Sequence, residues 1–295
     1  MDKEKQGKII KGVGGKYAVL CEGKRYNCFV QKKVKYFYDD VMVGDNVQFV
    51  RQSKEFVVTA ILPRTNNLKR PSVANVDGVL LVVAVKPEPD LLLMDKLIVN
   101  CNRQNVPIMM VLNKSDISDE AFAKEIRLQY QSEVKTFVEV SCVSGKGIEE
   151  LQRLLVNKTF CLCGQSAVGK TSLLNALSPS LALPVGELSE KTQRGKHTTR
   201  HNQIYPLDNG AFVVDTAGFS MFDLPEEVKS EQLCLYFDEF FQLSKDCRFN
   251  MCTHTAEPDC AVKIQAQNNP VLAKKYQRYL ELFKEIKEKE EHKFD

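Results

Sequence analysis

Two short segments carry residue types that could hold a nucleoside triphosphate between them. Gly164-Gln165-Ser166-Ala167-Val168-Gly169-Lys170-Thr171 fits the spacing Gly-x4-Gly-Lys-[Ser/Thr], with Ser172 following. Glycines there let backbone N–H groups curl around phosphate oxygens at a helix N-terminus, whose dipole also favours anions. Lys170 is expected to reach the outer phosphates and Thr171 to hold Mg²⁺. The tetrapeptide Asn113-Lys114-Ser115-Asp116 is the second segment. A carboxylate at Asp116 can accept from both the N1–H and the N2–H₂ of guanine. Adenine offers no such pair of donors, so the tetrapeptide argues for GTP over ATP. Ser141-Cys142 is expected to give a backbone contact to the guanine oxygen.

Asp215-Thr216-Ala217-Gly218 supplies a third part. Asp215 is expected to bind Mg²⁺, and the Gly218 N–H to meet the γ-phosphate. Gly195-Lys196-His197-Thr198-Thr199-Arg200 lies between the phosphate loop and Asp215, and either Thr198 or Thr199 would complete the metal shell. The polar stretch 186–200 suits a switch that orders on the γ-phosphate and loosens after hydrolysis. Phe219 follows Gly218, where many GTPases place a glutamine that orients the attacking water. A phenyl ring cannot do that. His197 is the catalytic candidate, because an imidazole in the switch could position or polarise water; the alternative is that it only caps or packs the switch.

A separate cluster, Cys247, Cys252, His254 and Cys260, has the form Cys-x4-Cys-x-His-x5-Cys within 14 residues. Three thiolates and an imidazole suit a closed tetrahedral zinc site, structural rather than catalytic because no ligand position stays open. Such coordination contributes folding free energy, with apparent zinc affinities of roughly 10–16 kcal/mol. The other seven cysteines (Cys21, Cys28, Cys101, Cys142, Cys161, Cys163, Cys234) are scattered and read as small buried hydrophobes. A disulfide framework does not fit a chain this long in a reducing compartment.

The elements that must position these groups follow from the apolar rhythm. The runs 79–85 and 108–112 read as strands buried on both faces of a parallel sheet, the second ending at Asn113. Helical spacing follows over 91–104 and, behind a capping Asp119, over 119–131. Strands at 137–140 and 158–163, helices at 147–156 and 170–177, and a strand at 211–214 complete an α/β three-layer pattern. Residues 226–243 look helical. Pro270 opens a last helix in which Leu272, Tyr276, Tyr279, Phe283 and Ile286 form an apolar stripe.

Upstream, five β-rich runs (8–10, 17–21, 26–29, 46–51, 56–62) punctuated by glycines fit a small five-stranded barrel of the oligonucleotide-binding (OB) type. The net charge of the chain is only +3, but residues 1–70 hold 15 Lys/Arg against 7 Asp/Glu. A basic first third points to an anionic partner such as nucleic acid. Tyr17, Tyr26, Phe29, Tyr36, Phe37 and Tyr38 interleave with its lysines, as stacking platforms for bases or as barrel core. Residues 63–71 read as a linker. The expected organisation is therefore multidomain. It comprises an all-β OB-type RNA-binding barrel (1–66), a central α/β P-loop GTPase domain (67–222) and a mostly helical zinc-binding domain (223–295). The polar start and the lack of a long apolar run point to a cytoplasmic protein with no membrane partner. Nothing suggests more than a monomer.

The guanine reader precedes the phosphate loop and the Asp215 segment comes last, whereas ordinary GTPases begin with the phosphate loop. A site depends on where residues meet, so the order does not weaken the assignment. Barrel, reordered motifs and zinc segment together resemble the RsgA-type circularly permuted, small-ribosomal-subunit-dependent GTPases. The likeness rests on Asn113 to Asp116, Gly164 to Ser172, Gly195 to Thr199, Asp215 to Gly218 and the Cys/His cluster, and spans nearly the whole chain. It implies a factor that binds the small ribosomal subunit and its rRNA late in maturation. GTP hydrolysis is then stimulated by the subunit and drives release. Ala167 departs from the family loop, which usually has glycine there, and gives no support to potassium activation through a loop asparagine. Two other readings stay open: an RNA-binding assembly module whose nucleotide switch turns over negligibly, and a permuted GTPase acting on another RNA.

Overall fold

The computed structural model describes residues 3–37, 41–69, 72–185, 203–215 and 224–291. Five strands close the N-terminal barrel: β1 (Lys5–Val13), β2 (Lys16–Cys21), β3 (Lys24–Val30), β4 (Asn46–Gln52) and β5 (Glu55–Ile61). Pairing runs β1-β2-β3-β5-β4 and back to β1, with β3 and β5 parallel and the other pairs antiparallel. This closed ring leaves no open edge within the barrel. Gly14 and Gly15, both at positive φ, make the two-residue turn between β1 and β2. Ile9, Val19, Val47, Phe49 and Val58 fill the interior. Tyr26 packs on Phe49 and Phe56 at centroid distances of 5.2 and 5.0 Å, so it is core-facing. Tyr17 also packs against that core, whereas Phe29 is exposed with the Lys16 ammonium 5.7 Å from its ring. The side chains of Tyr36 and Phe37, and all of Tyr38, lie outside the described residues.

Two features differ from the sequence expectation here. A short helix, α1 (Lys32–Phe37), sits between β3 and β4, and the expected linker contains β6 (Asn67–Lys69), paired with β7 (Ser72–Ala74). The linker is thus pinned rather than loose. Arg64 donates to both carboxylate oxygens of the fully buried Asp45, at 2.7 and 2.9 Å. Gly44 lies so close to β7 that a Cβ there would sit 2.0 Å from the Ala74 carbonyl oxygen.

The central sheet contains β8 (Gly78–Ala84), β9 (Ile108–Asn113), β10 (Thr136–Glu139), β11 (Thr159–Cys163), β12 (Gln203–Pro206) and β13 (Phe212–Asp215). Their order is β10-β9-β8-β11-β13-β12, all parallel except β12. Strands β8, β9 and β11 are buried along their whole length, as strands covered on both faces must be. Helices α2 (Leu91–Arg103) and α3 (Glu120–Tyr130) contribute to the core on one face, and α4 (Ile148–Leu155) and α5 (Lys170–Leu177) to the core on the other. Asp90 and Asp119 cap α2 and α3 by accepting from Leu93 N and Phe122 N. The barrel joins this sheet edge to edge, with Lys11 of β1 opposite Gln203 of β12. Lys8 reaches across the joint and donates to Thr159 Oγ1 at 2.9 Å; burial lowers its pKa and nearby Asp77 opposes that shift.

The stretch expected to form one helix over 226–243 is broken in two. A 3-10 helix (Ser230–Tyr236) and α6 (Asp238–Ser244) meet at Phe237, which adopts an extended conformation and is buried against Phe240 and Tyr279. Burying that ring wins over helical continuity. Helices α7 (Ala261–Asn268) and α8 (Pro270–Glu291) follow. The buried face of α8 carries two cations as well as its apolar stripe. Arg278 Nε meets Asp95 of α2 at 2.5 Å, and Lys275 Nζ meets Glu133 at 2.6 Å and Glu239 at 3.1 Å.

Removing one member of a buried pair strands its partner, at a cost of about 3–5 kcal/mol. Arg278→Leu is therefore expected to lower the urea midpoint of the full chain sharply. Arg153→Ala, which removes an exposed partner of Glu149, is expected to leave it in place.

Candidate functional site

The parallel order brings the C-terminal ends of β9, β11 and β13 to one edge, where open α/β sheets bind ligands. Asn113 ends β9, Gly164 follows β11 and Asp215 ends β13. Residues far apart in sequence then touch. Asn113 Nδ2 donates to Val168 O at 2.9 Å. Gly169 makes this approach possible, since a Cβ there would lie 2.4 Å from Asn113 Nδ2. Gly164 is equally constrained, at φ 143° with Val82 O 2.4 Å from where a Cβ would sit.

Lys114, at φ 60°, holds the same junction from outside. Its ammonium donates to Ala167 O at 2.9 Å and to Lys86 O at 2.8 Å. Asp116 accepts from Ser141 Oγ at 2.6 Å and remains exposed at the mouth. Ser115 N donates to Val140 O, which ties the tetrapeptide to the strand leading into Ser141. The Cys142 thiol donates to Asn113 Oδ1 at 3.4 Å, a contact that an inert buried cysteine would not make. Both ends of the Asn113 amide are thus fixed, so its orientation is set before any ligand arrives.

Within the phosphate loop, Lys170 Nζ donates to the carbonyl oxygens of Gly164 and Gln165, each at 2.7 Å. Burial pushes the Lys170 ammonium below its ordinary pKa, and the Asp215 carboxylate pulls the other way. Asp215 is opposite Leu162 in the β11–β13 register, two residues before the loop begins. Thr171 and Ser172 lie half-buried on the first turn of α5. Thr171 follows Lys170 on α5 and Asp215 acts electrostatically on its ammonium; the hydroxyl and carboxylate oxygens of the two are the hard donors Mg²⁺ prefers. Ser166 and Ala167 are exposed. Ala167 takes φ 63°, a left-handed conformation that costs a residue with a Cβ roughly 1–2 kcal/mol. Gln165 has a role that the spacing did not reveal. Its side chain accepts from Asp90 N and donates to Glu88 O, each at 3.1 Å, fastening the loop to the entry of α2. His197, Thr198, Thr199 and Gly218, with Phe219, lie outside the described residues.

The second centre lies in the C-terminal segment. The donor atoms of Cys247, Cys252, His254 and Cys260 all fall within 4.8 Å of one another. Cys247 Sγ is 3.9 Å from Cys260 Sγ, and His254 Nδ1 is 3.3 Å from Cys260 Sγ and 3.7 Å from Cys247 Sγ. Donors arranged tetrahedrally around one zinc ion sit roughly 3.5–3.8 Å apart, so this set can hold a metal such as zinc. The loop is braced from three sides. Tyr276 and Tyr279 of α8 donate to His254 O and Thr253 O at 2.6 and 2.9 Å. The Glu257 carboxylate accepts from the backbone N–H groups of Thr253 and Thr255. Burial works against the Glu257 anion, yet these hydrogen bonds hold its pKa down to about 2. Spacing marked the two tyrosines only as packing residues; the hydroxyls distinguish them from the phenylalanine and leucine of the same stripe.

A family model described as RsgA GTPase matches residues 61–225. The Small ribosomal subunit biogenesis GTPase RsgA of Caldanaerobacter subterraneus subsp. tengcongensis is 38% identical over 292 residues, 98% of each chain. That of Thermotoga petrophila is 40% identical over 268 residues, 90% of each chain. Among solved structures, YjeQ from Thermotoga maritima aligns with a TM-score of 0.79 at 32% identity, covering 96% of this chain and 99% of that one. YloQ, a circularly permuted GTPase, aligns with a TM-score of 0.74 at 28% identity, covering 97% and 96%. With a family model over the central domain and relatives and solved structures aligning over nearly the whole length, this chain belongs to the RsgA GTPase family.

Proposed function

We propose that this chain binds GTP at the β9–β11–β13 edge, hydrolyses it, and serves in late maturation of the small ribosomal subunit, hydrolysis driving its release. The observation that supports the nucleotide reading is the Asn113–Val168 hydrogen bond, which brings the tetrapeptide 113–116 against the loop 164–171. Asp116, held by Ser141, accepts from the guanine N1–H and N2–H₂ edge. Backbone N–H groups of residues 165–170 cradle the phosphates, and Lys170 leaves its loop carbonyls to meet the outer phosphate oxygens. Thr171 and Asp215, with Thr198 or Thr199, would hold Mg²⁺, which neutralises charge developing on the phosphates. His197 orients the attacking water, Gly218 N–H meets the γ-phosphate, and the 186–200 segment is the switch. Zinc on the Cys/His cluster is structural. The basic barrel supplies the rRNA contact, with Phe29 exposed beside Lys16 as a stacking face. The subunit assignment draws on the names of the relatives. Among the described residues no helix is long and apolar enough to cross a membrane.

Equilibrium binding of labelled GTP against ATP is expected to show a preference of at least about 10³-fold. Asp116→Ala should erase that preference while leaving triphosphate contacts at the loop; an unselective wild-type pocket would reject the guanine reading. Phosphate release should rise when small subunits are added. His197→Ala is expected to lose most of that stimulated turnover while GTP affinity stays within about twofold, the signature of a group that acts in the transition state alone. Equal stimulated rates in wild type and variant would remove His197 from the reaction.

A further inference from the structure

The two ring nitrogens of His254 face different neighbours. Nδ1 faces the thiols of Cys247 and Cys260. Nε2, on the other side of the imidazole, lies 2.9 Å from Sγ of Cys234, twenty residues upstream on the 3-10 helix Ser230–Tyr236. Both side chains are buried, His254 completely. A neutral imidazole that gives its Nδ1 lone pair to a metal keeps its proton on Nε2. That N–H is shut off from bulk solvent, and leaving it without an acceptor would cost the desolvation of a polar group. Carboxylates and carbonyls usually take this role beside metal-bound histidines. Here the nearby Glu257 carboxylate is already engaged by Thr253 and Thr255, and the His254 carbonyl is engaged by Tyr276.

We propose that Cys234 is the positioning partner of the metal centre. Its sulfur accepts the Nε2–H of His254, which fixes the tautomer and the tilt of the ring so that Nδ1 points at the ion. This rests on reading the cluster as a zinc site. The helix that bears Cys234 is itself anchored, because Asn102 of α2 donates to Tyr236 O at 2.9 Å. The orientation of the metal-binding imidazole is therefore referenced, through two hydrogen bonds, to a helix that covers the nucleotide-binding sheet. The other buried thiols of the scattered set offer no comparable contact to the cluster: Cys161 and Cys163 pair with each other, and Cys28 with a barrel carbonyl.

The test is zinc affinity of the full chain, measured by competition with a chromophoric chelator, together with the visible spectrum of the cobalt-loaded protein. Cys234→Ala is expected to bind zinc about 10–100-fold more weakly, the effect typical of losing such a partner, and to shift the cobalt bands. Cys234→Ser keeps an acceptor and should recover most of the affinity. Cys101→Ala, which removes a buried thiol from α2 instead, should match wild type. If the alanine variant does not fold, Cys234→Val keeps the bulk, removes the acceptor and should show the same weakening. Wild-type affinity in the alanine or valine variant overturns the proposal, and so does equal weakening by serine and alanine, which would mean packing alone. A wild-type chain that takes up no zinc overturns the metal reading itself, and the proposal with it.

Discussion

One hydrogen bond, from the Asn113 amide to Val168 O across the gap that Gly169 leaves open, holds the candidate site together. It joins the tetrapeptide proposed to read the base to the loop proposed to hold the phosphates. A larger residue at 169 would collide with the amide, and a different residue at 113 would leave the phosphate loop without its anchor. Lys114 repeats the same junction by bridging Ala167 O and Lys86 O, and Gln165 fastens the loop to Glu88 and Asp90. The loop is thus held to β9 and to the entry of α2 by side chains, so that its backbone N–H groups remain for an anion.

This also explains why the order of the motifs along the chain does not matter to the chemistry. Strand adjacency in the sheet is fixed by buried faces and pairing, β9 beside β8, β8 beside β11, β11 beside β13. Only three residues, 156–158, carry the chain from α4 into β11. What the permutation does change is where the chain goes next. The segment after the phosphate helix returns as β12, the strand that pairs with the barrel, and the chain beyond Asp215 runs into the helix that carries Cys234. Both parts of the site that would face a γ-phosphate therefore lead directly into a flanking module.

The sequence made the architecture legible where a single physical rule decides the outcome. Runs such as 79–85 and 108–112 are apolar at every position, and only a doubly covered strand accommodates that. The glycine spacing of the phosphate loop and the Cys/His spacing likewise state their geometry. The sequence was silent where tertiary contacts decide. Phe237 breaks a helix that local propensity would continue, because its ring belongs between Phe240 and Tyr279. The 63–71 stretch reads as a linker because the one strand in it, β6, is only three residues long and pairs with an equally short β7 just beyond it. Gln165 and Cys142 read as backbone contacts to nucleotide and Cys234 only as a buried hydrophobe; what gives each side chain a further role is a partner between 20 and 77 residues away.

The C-terminal segment shows why a Cys/His cluster and buried ion pairs occur together there. Helices α6 and α7 are seven and eight residues long, too short to be stable alone, and the loop between them has almost no regular structure. The segment's buried apolar residues, among them Leu233, Phe237, Phe240, Val262, Leu272, Tyr279 and Leu282, join the cluster that α2 and α3 form on the sheet rather than a core of their own. A segment with so little core needs cross-links, and a four-donor cluster provides one. Arg278 and Lys275 then supply what apolar contacts do not: direction. A hydrophobic stripe could slide along the surface of α2 and α3, but Arg278 meets Asp95 and Gln129, and Lys275 meets Glu133 and Glu239. A shift of one helical turn would strand each of these charges in a buried site, so the ion pairs set the register of α8 on the nucleotide-binding domain. The Cys/His loop hangs from Tyr276 and Tyr279 of that same helix, and its place on the central domain follows from the same register.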